Sequence, residues 1–194
     1  ARPVRHVSVK APVFSFAKLT RVDVNLGPEM KSTGEIMGTD FDYPRALYKA
    51  MIASGVDVPR QGALIATIAD PDKQEALPLL RRYHELGYRI YATAGTARYL
   101  QQNGIESETA NKIHEGGRNL ISLIQEGKVN LLINTVSRNK LSEREAQLLR
   151  RTAVENGVPC LTSLDTAAAL LESLSARDED GTPVRPDCRT IDEY

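Results

Sequence analysis

The chain has 194 residues, of which 41% are hydrophobic, and its 25 Lys and Arg side chains balance its 25 Asp and Glu side chains. The zero formal charge gives no electrostatic reason to expect a nucleic-acid partner. No apolar run reaches the roughly 20 residues of a transmembrane helix, so no membrane partner is expected either. Two cysteines without a CxxC spacing, and no charged-then-apolar leader, favour a cytoplasmic protein without a zinc site or a disulfide framework.

Residues 1–58 predict a short α+β piece rather than a complete domain. Val7 to Phe16 predict one or two strands interrupted by Pro12. Residues 25–38 are rich in glycine and predict turns, whereas residues 43–54 predict a helix with an apolar stripe. Because so short a piece buries little surface, we expect a fragment of a neighbouring domain.

Residues 59–176 alternate between short apolar runs and helical patterns. Strands separated by helices predict right-handed βαβ units, and therefore a parallel five-stranded sheet flanked by helices in three Rossmann-type layers. Residues 177–194 are charged and polar and predict a tail. The predicted strands lie at residues 63–69, 88–92, 105–109, 129–133 and 158–161.

Local signals refine the helices between these strands. Pro78 predicts a late start or a kink in the first of them. The run from Ser142 to Glu145 predicts a capping box that opens a helix, and Asp165 predicts the cap of the last helix. The charge-rich stretch 144–151 predicts a solvated helix face.

Polar residues follow each predicted strand, at the edge of the sheet where open parallel sheets bind their ligands. The loop from Thr93 to Thr96 leads from a strand into a helix, where free backbone N–H groups and the helix dipole attract anions. A simple helix cap is the alternative for this loop. The residues that we expect at a phosphate are Lys73, Thr93, Thr96 and Lys112, with Asn134 and Thr135 near a sugar or a base.

The sequence provides little equipment for catalysis. No nucleophile stands beside a base, and the three histidines are His6, His84 and His114. His84 lies among charged neighbours and predicts a solvated side chain, and His114 predicts a turn or a ligand contact. We therefore expect no catalytic residue and no metal site in this chain.

Two parts of the chain resemble a known family. Residues 13–38 contain Gly-Pro-Glu-Met-Lys-Ser-Thr-Gly-Glu at 27–35 and resemble the end of the second ATP-grasp synthetase unit in the large chain of carbamoyl-phosphate synthases. Residues 92–96, 111–116 and 133–135 resemble the ligand-site motifs of the allosteric domain of that chain, which has the methylglyoxal-synthase-like fold.

The resemblance implies a regulatory role. Residues 1–58 would be the end of the ATP-grasp domain, 59–176 the allosteric domain and 177–194 its tail. The domain would bind a nucleotide effector such as UMP through the residues named above, and Thr162 would lie near an ornithine site. No cofactor is expected in this chain, whereas the parent ligase would use ATP with Mg²⁺ or Mn²⁺. Its partners would be the rest of the large chain and a small glutaminase subunit, in pyrimidine and arginine biosynthesis.

Three alternatives stay open from the sequence. A methylglyoxal synthase would need two acid/base carboxylates, but Arg118 and Ser137 stand at the corresponding positions. The cyclohydrolase of purine biosynthesis has a related fold but would lack the segment at 26–38. The third alternative is an interaction module without a ligand.

Overall fold

A computed structural model describes residues 5–14, 30–111, 119–136, 140–178 and 180–184, with side chains for all of these except 140–142. The chain divides into two compact units. The first contains the described residues up to Asp57 together with those from Ala169 onward, and the second contains the described residues from Val58 to Ala168. The predicted boundaries at residues 58 and 176 stay a prediction.

The first unit is built on an antiparallel pair of strands, β1 (Val7–Phe14) and β2 (Ser32–Asp40). Helix α1 (Tyr43–Ala53) follows, and Asp42 caps it by accepting a hydrogen bond from the backbone N–H of Arg45 at 2.9 Å. A Cβ atom on Gly38 would lie 2.3 Å from the carbonyl oxygen of Ala46. Only glycine therefore lets α1 pack this closely on β2.

The predictions for this unit were partly wrong. The strand β1 continues through Pro12, which is tolerated because, among the described residues, β1 pairs with β2 alone and has one edge without a neighbouring strand. Residues 32–38, predicted as turns, form most of β2. Pairing with β1 and packing against α1 outweigh the turn preference of Gly34 and Gly38, since strand formation depends on tertiary context. Of the rest of the predicted segment, residues 30–31 lie in neither a helix nor a strand, and 25–29 lie outside the described residues.

The second unit contains a five-stranded sheet in the order β5-β4-β3-β6-β7, and every neighbouring pair is parallel. This confirms the predicted parallel sheet flanked by helices. The strands are β3 (Gly62–Thr67), β4 (Tyr88–Ala92), β5 (Glu108–Thr109), β6 (Leu131–Asn134) and β7 (Cys160–Leu161). The helices are α2 (Lys73–Glu85), α3 (Ala94–Gln102), α4 (Leu120–Gln125), α5 (Lys140–Glu155) and α6 (Leu164–Ser175), the last of which extends into the first unit.

The helix starts differ from some of the local predictions. Helix α2 begins at Lys73 and continues through Pro78, so it does not start late. Helix α5 begins at Lys140, which places Ser142 inside the helix rather than at its cap. A capping box does occur at α4, where Asn119 and Ser122 each accept a hydrogen bond from the backbone N–H of the other. Serine at the third helical position is a weaker sequence signal than glutamate, so this box was missed.

The strand order positions a ligand site. The chain leaves β3 toward β4 and β5 on one side and returns to β6 on the other. Beyond the carboxyl ends of β3 and β6 the connecting segments therefore diverge and leave a crevice. The central strands carry little polar side-chain surface, since Ala63 to Ala66 and Leu131 to Ile133 are buried. None of the helices in the described ranges has the length and apolar character needed to cross a bilayer.

Candidate functional site

A cavity of about 300 Å³ opens beyond the carboxyl ends of β3, β4, β5 and β6, within the second unit. Its wall combines polar groups with an apolar patch made by Leu120, Ala146 and Leu149. A cavity of this size with a few convergent polar groups is typical of a small-molecule site. The other lining residues are Thr67, Ile68, Ala69, Asp70, Thr93, Ala94, Gly95, Ala110, Asn111, Asn134, Thr135 and Glu145.

One side of the cavity, here called the α3 side, consists of the lining residues Thr93, Ala94 and Gly95, together with Thr96 and Lys73, which contact this loop but do not line the cavity. Thr93 occupies the N-cap position of α3, but among the described residues its side chain makes no capping hydrogen bond. The first N–H groups of a helix have no partner within the helix, so those of α3 are left without a side-chain cap. Thr93 to Gly95 are exposed at the cavity. This geometry disfavours the simple-cap alternative and leaves room for an anion.

Thr96 has a different surrounding from Thr93, although both were predicted as phosphate ligands. Its side chain is buried, and its hydroxyl accepts a hydrogen bond from the backbone N–H of Ile68 at 3.3 Å and lies 3.4 Å from the carbonyl oxygen of the same residue. It also accepts from the Thr93 hydroxyl at 3.4 Å. Thr96 therefore fastens the start of α3 to the segment after β3 and does not line the cavity.

Lys73 brings a positive charge to the mouth of the cavity. Its ammonium group donates to the carbonyl oxygen of Gly95 at 3.1 Å and pairs with the carboxylate of Asp70 at 2.6 Å. The hydrogen bond from Lys73, with its charge, lowers the pKa of Asp70 below the ordinary value for a carboxyl group. Lys73 itself is not among the lining residues, but its two partners are.

The opposite side, here called the α5 side, consists of the lining residues Asn134, Glu145 and Leu149, together with Glu143 and Arg150 on α5, which do not line the cavity. Arg150 is fully buried. Its guanidinium donates to Asn134 Oδ1 at 2.7 Å and pairs with Glu143 Oε1 at 2.5 Å. The amide nitrogen of Asn134 donates to the hydroxyl of Thr67 at 2.6 Å. A buried network of charged and amide groups thus supports this side.

The prediction that residues 144–151 form a solvated face was therefore wrong for Arg150. The side chains of Ala146, Leu149, Arg150 and Ala153 follow helical spacing, and the last three are buried. Arg150 lies on the apolar stripe of α5, and that spacing was the signal that could have identified it. Arg151 does lie in solvent and pairs with Glu155 at 2.8 Å.

Three of the seven predicted ligand residues line the cavity. They are Thr93, Asn134 and Thr135, and the Thr135 hydroxyl accepts a hydrogen bond from the backbone N–H of Ala69 at 2.7 Å. Thr162 follows the edge strand β7 and is half-buried, but it does not line the cavity. The lining residues with polar side chains that lie outside the predicted set are Thr67, Asp70, Asn111 and Glu145.

Several predicted positions lie outside the described residues. They include Lys112, His114 and the two positions that argued against a methylglyoxal synthase, Arg118 and Ser137. Among the residues that the structure does describe, no group of three or more His, Cys, Asp or Glu side chains could hold a metal ion. The expectation that this chain carries no cofactor stays a prediction.

Residues 75–162 match the family model of the MGS-like domain. The matched stretch begins two residues inside α2 and ends after β7, so it includes the start of α3 and all of α5. The cavity-lining residues from Thr93 onward lie in the matched stretch, whereas those from Thr67 to Asp70 precede it.

Two solved structures align with parts of this chain. The crystal structure of a methylglyoxal synthase from Elizabethkingia anophelis NUHP1 aligns with a TM-score of 0.45 at 14% identity, over 71% of this chain and 91% of that one. The crystal structure of ForH aligns with a TM-score of 0.41 at 21% identity, over 56% of this chain and 76% of that one. At such identities, neither alignment says what this chain binds.

Proposed function

We propose that this chain is the regulatory end of a carbamoyl-phosphate synthase large chain, and that its cavity binds a phosphorylated nucleotide such as UMP. The motifs at 27–35, 92–96, 111–116 and 133–135 resemble that family, and the match to the MGS-like domain is consistent with its allosteric domain. The observation that carries the proposal is the uncapped start of α3, which opens on the cavity beside the ammonium group of Lys73.

The chemistry of the α3 side suits a phosphate more than a neutral ligand. Free N–H groups at the start of α3 would donate to phosphate oxygens, with the helix dipole favouring the negative charge. The Thr93 hydroxyl would add a further donor. Lys73 would neutralise charge, exchanging its bond to Asp70 for one to the ligand. The apolar patch of Leu120, Ala146 and Leu149 offers a surface for the rest of a nucleotide.

Under this proposal the chain controls a reaction that it does not perform. The parent enzyme would bind ATP and Mg²⁺ and form carbamoyl phosphate in other parts of the large chain, with ammonia supplied by a glutaminase subunit. The effector would act by binding two states of that enzyme with different affinity. The cytoplasmic location and the ornithine site near Thr162 stay predictions.

The main rival is a phosphate lyase of the methylglyoxal synthase type. The observation in its favour is that two carboxylates, Asp70 and Glu145, line the cavity. However, Lys73 holds the pKa of Asp70 below its ordinary value, so at neutral pH this carboxyl is ionised and is a poor proton donor. We expect no release of phosphate from a triose phosphate by the full chain, and measurable release would favour the lyase.

A calorimetric titration of the full chain tests the proposal. The ligands are UMP, IMP, inorganic phosphate and ornithine, and the variants are Thr93→Ala and Thr166→Ala. The control residue Thr166 is exposed on α6, away from the cavity. We expect saturable binding of UMP that weakens at least about tenfold in Thr93→Ala and is unchanged in Thr166→Ala. Equal binding by the two variants would show that the phosphate does not lie on the α3 side.

A further inference from the structure

Arg150 is a buried charge that the proposed ligand contacts do not use. It is the largest fully buried side chain of the described residues, and it reaches from α5 to the end of β6. Burial of a guanidinium is costly unless it is paired and hydrogen-bonded, and Glu143 and Asn134 both contribute to that pairing. Since this buried charge donates to Asn134, which lines the cavity, we ask whether it serves the ligand site as well as the packing of α5.

The guanidinium fixes the direction of a chain of hydrogen bonds. Because it has donors only, the atom of Asn134 that faces it must be the oxygen Oδ1. The amide nitrogen then faces Thr67, whose hydroxyl must accept at 2.6 Å. Thr67 and Asn134 are register partners in the parallel sheet, so their backbones hold this pair in place.

The orientation of Asn134 determines how the Thr67 hydroxyl can bond at the cavity. A hydroxyl that accepts from an amide keeps its own proton for another acceptor. In the part of the chain that the structure describes, no acceptor receives a hydrogen bond from the Thr67 hydroxyl, and Thr67 lines the cavity. The chain of hydrogen bonds from Arg150 through Asn134 to Thr67 thus leaves the Thr67 hydroxyl proton for a ligand.

We propose that Arg150 is a positioning residue of the ligand site, which acts through Asn134 to make the Thr67 hydroxyl a hydrogen-bond donor toward an anionic ligand. The inference rests on the proposed function for the nature of that ligand. The Thr67 hydroxyl, oriented by the α5 side, then complements the donors of the α3 side in the same cavity. This orientation also explains an amide at residue 134: an aspartate would offer Thr67 an acceptor and draw its proton away from the ligand.

The first test needs no ligand and follows the side-chain amide protons of Asn134 by NMR in the full chain. In the parent chain the amide nitrogen donates to the Thr67 hydroxyl, so we expect its protons to exchange slowly with solvent. In Arg150→Met the amide loses the group that fixes it, and we expect exchange at least about tenfold faster. Arg150→Lys, which keeps a charged donor, should restore part of the protection. The control Arg151→Met changes an exposed neighbour and should behave as the parent.

The second test is a double-mutant cycle on the binding of inorganic phosphate and UMP. Thr67→Val and Arg150→Met should each weaken binding about tenfold, since each removes the same donor. The double variant should be no more than about twofold weaker than either single one. A merely structural arginine would give additive losses, or would lower the unfolding midpoint without changing affinity.

The outcomes separate this inference from the proposed function. If the Asn134 amide protons exchange at the same rate in the parent and in Arg150→Met, Arg150 does not orient Asn134. That result overturns the inference, whatever the chain binds. A parent chain that binds neither phosphate nor UMP overturns the proposed function and with it the anionic ligand, while the amide exchange still decides whether Arg150 orders Asn134. Slow exchange of the Asn134 amide protons in the parent chain, together with non-additive losses in the double-mutant cycle, supports both the inference and the proposed function.

Discussion

The two sides of the cavity differ in the chemical groups that form them and in how deeply those groups are buried. On the α3 side the groups that face the cavity are backbone N–H groups and the Thr93 hydroxyl, with Lys73 at the mouth, all near the surface. On the α5 side the support is a fully buried guanidinium paired with Glu143 and Asn134. We infer that the α3 side contributes to binding with little effect on folding, whereas the α5 side contributes to both.

The largest expected effect comes from removing the buried charge. Arg150→Ala leaves Glu143 without this partner and Asn134 Oδ1 without its donor, and breaking such a buried pair costs about 3 kcal/mol of unfolding free energy. Urea unfolding of the full chain measures the loss. Arg151→Ala, on the same helix but about half exposed, should cost under about 0.5 kcal/mol. Equal losses in the two variants would contradict the difference between the two sides.

The contrast also explains what the sequence could predict. The α3 side follows from a strand, a Thr-x-Gly-Thr loop and a helix that are adjacent in the chain, so local rules were sufficient to select Thr93. Arg150 meets Asn134 across 16 residues, and its burial depends on which face of α5 packs on the sheet. The many charged residues at 144–151 instead favoured a helix face exposed to solvent.

The same reasoning applies to the fold. The five parallel strands were predictable because the central ones, β3 and β6, are continuous apolar runs. The strand β2 was not, because it pairs with β1 over a separation of up to 33 residues, as Val7 lies opposite Asp40. Its two glycines favour turns locally, and only the approach of α1 to Gly38 gives one of them a structural purpose.

The next prediction separates two threonines of the α3 side. Thr96→Ala removes the hydroxyl that holds the backbone of Ile68, so it should cost about 1 kcal/mol of stability. Thr93→Ala removes a hydroxyl with no capping bond, and should change stability by under about 0.5 kcal/mol while weakening phosphate binding at least about tenfold. Urea unfolding and calorimetry measure the two quantities. A larger stability loss in Thr93→Ala would show that it serves as a cap after all.

A smaller effect of opposite sign is expected at the mouth of the cavity. Asp70 competes with an anion for Lys73, so Asp70→Asn should strengthen phosphate binding by roughly threefold at low salt. Since the pKa of Asp70 is lowered, the carboxylate stays ionised as pH falls until the acid range below its ordinary pKa. The ratio of affinities between variant and parent should therefore be constant from about pH 6 to 8. Weaker binding in Asp70→Asn would mean that the carboxylate itself contacts the ligand.

The smallest change tests whether the backbone of the α3 side must come close to the ligand. A Cβ atom on Gly95 would make an ordinary contact, 3.5 Å from the ammonium nitrogen of Lys73, so Gly95→Ala should fold as stably as the parent or be more stable by about 0.5 kcal/mol. The methyl group would nevertheless occupy space where the anion meets Lys73, and we expect affinity for phosphate to fall by roughly threefold to tenfold.

Gly104, at the other end of α3, provides the matched control. Nothing lies within 4 Å of a Cβ atom there, but its φ of +74° is one that other residues rarely adopt. Gly104→Ala should therefore cost about 1 kcal/mol of stability and leave phosphate affinity unchanged, the reverse of Gly95→Ala. If both variants lose stability and neither loses affinity, Gly95 serves the helix alone, and the anion must be held by side chains rather than by the backbone of the α3 side.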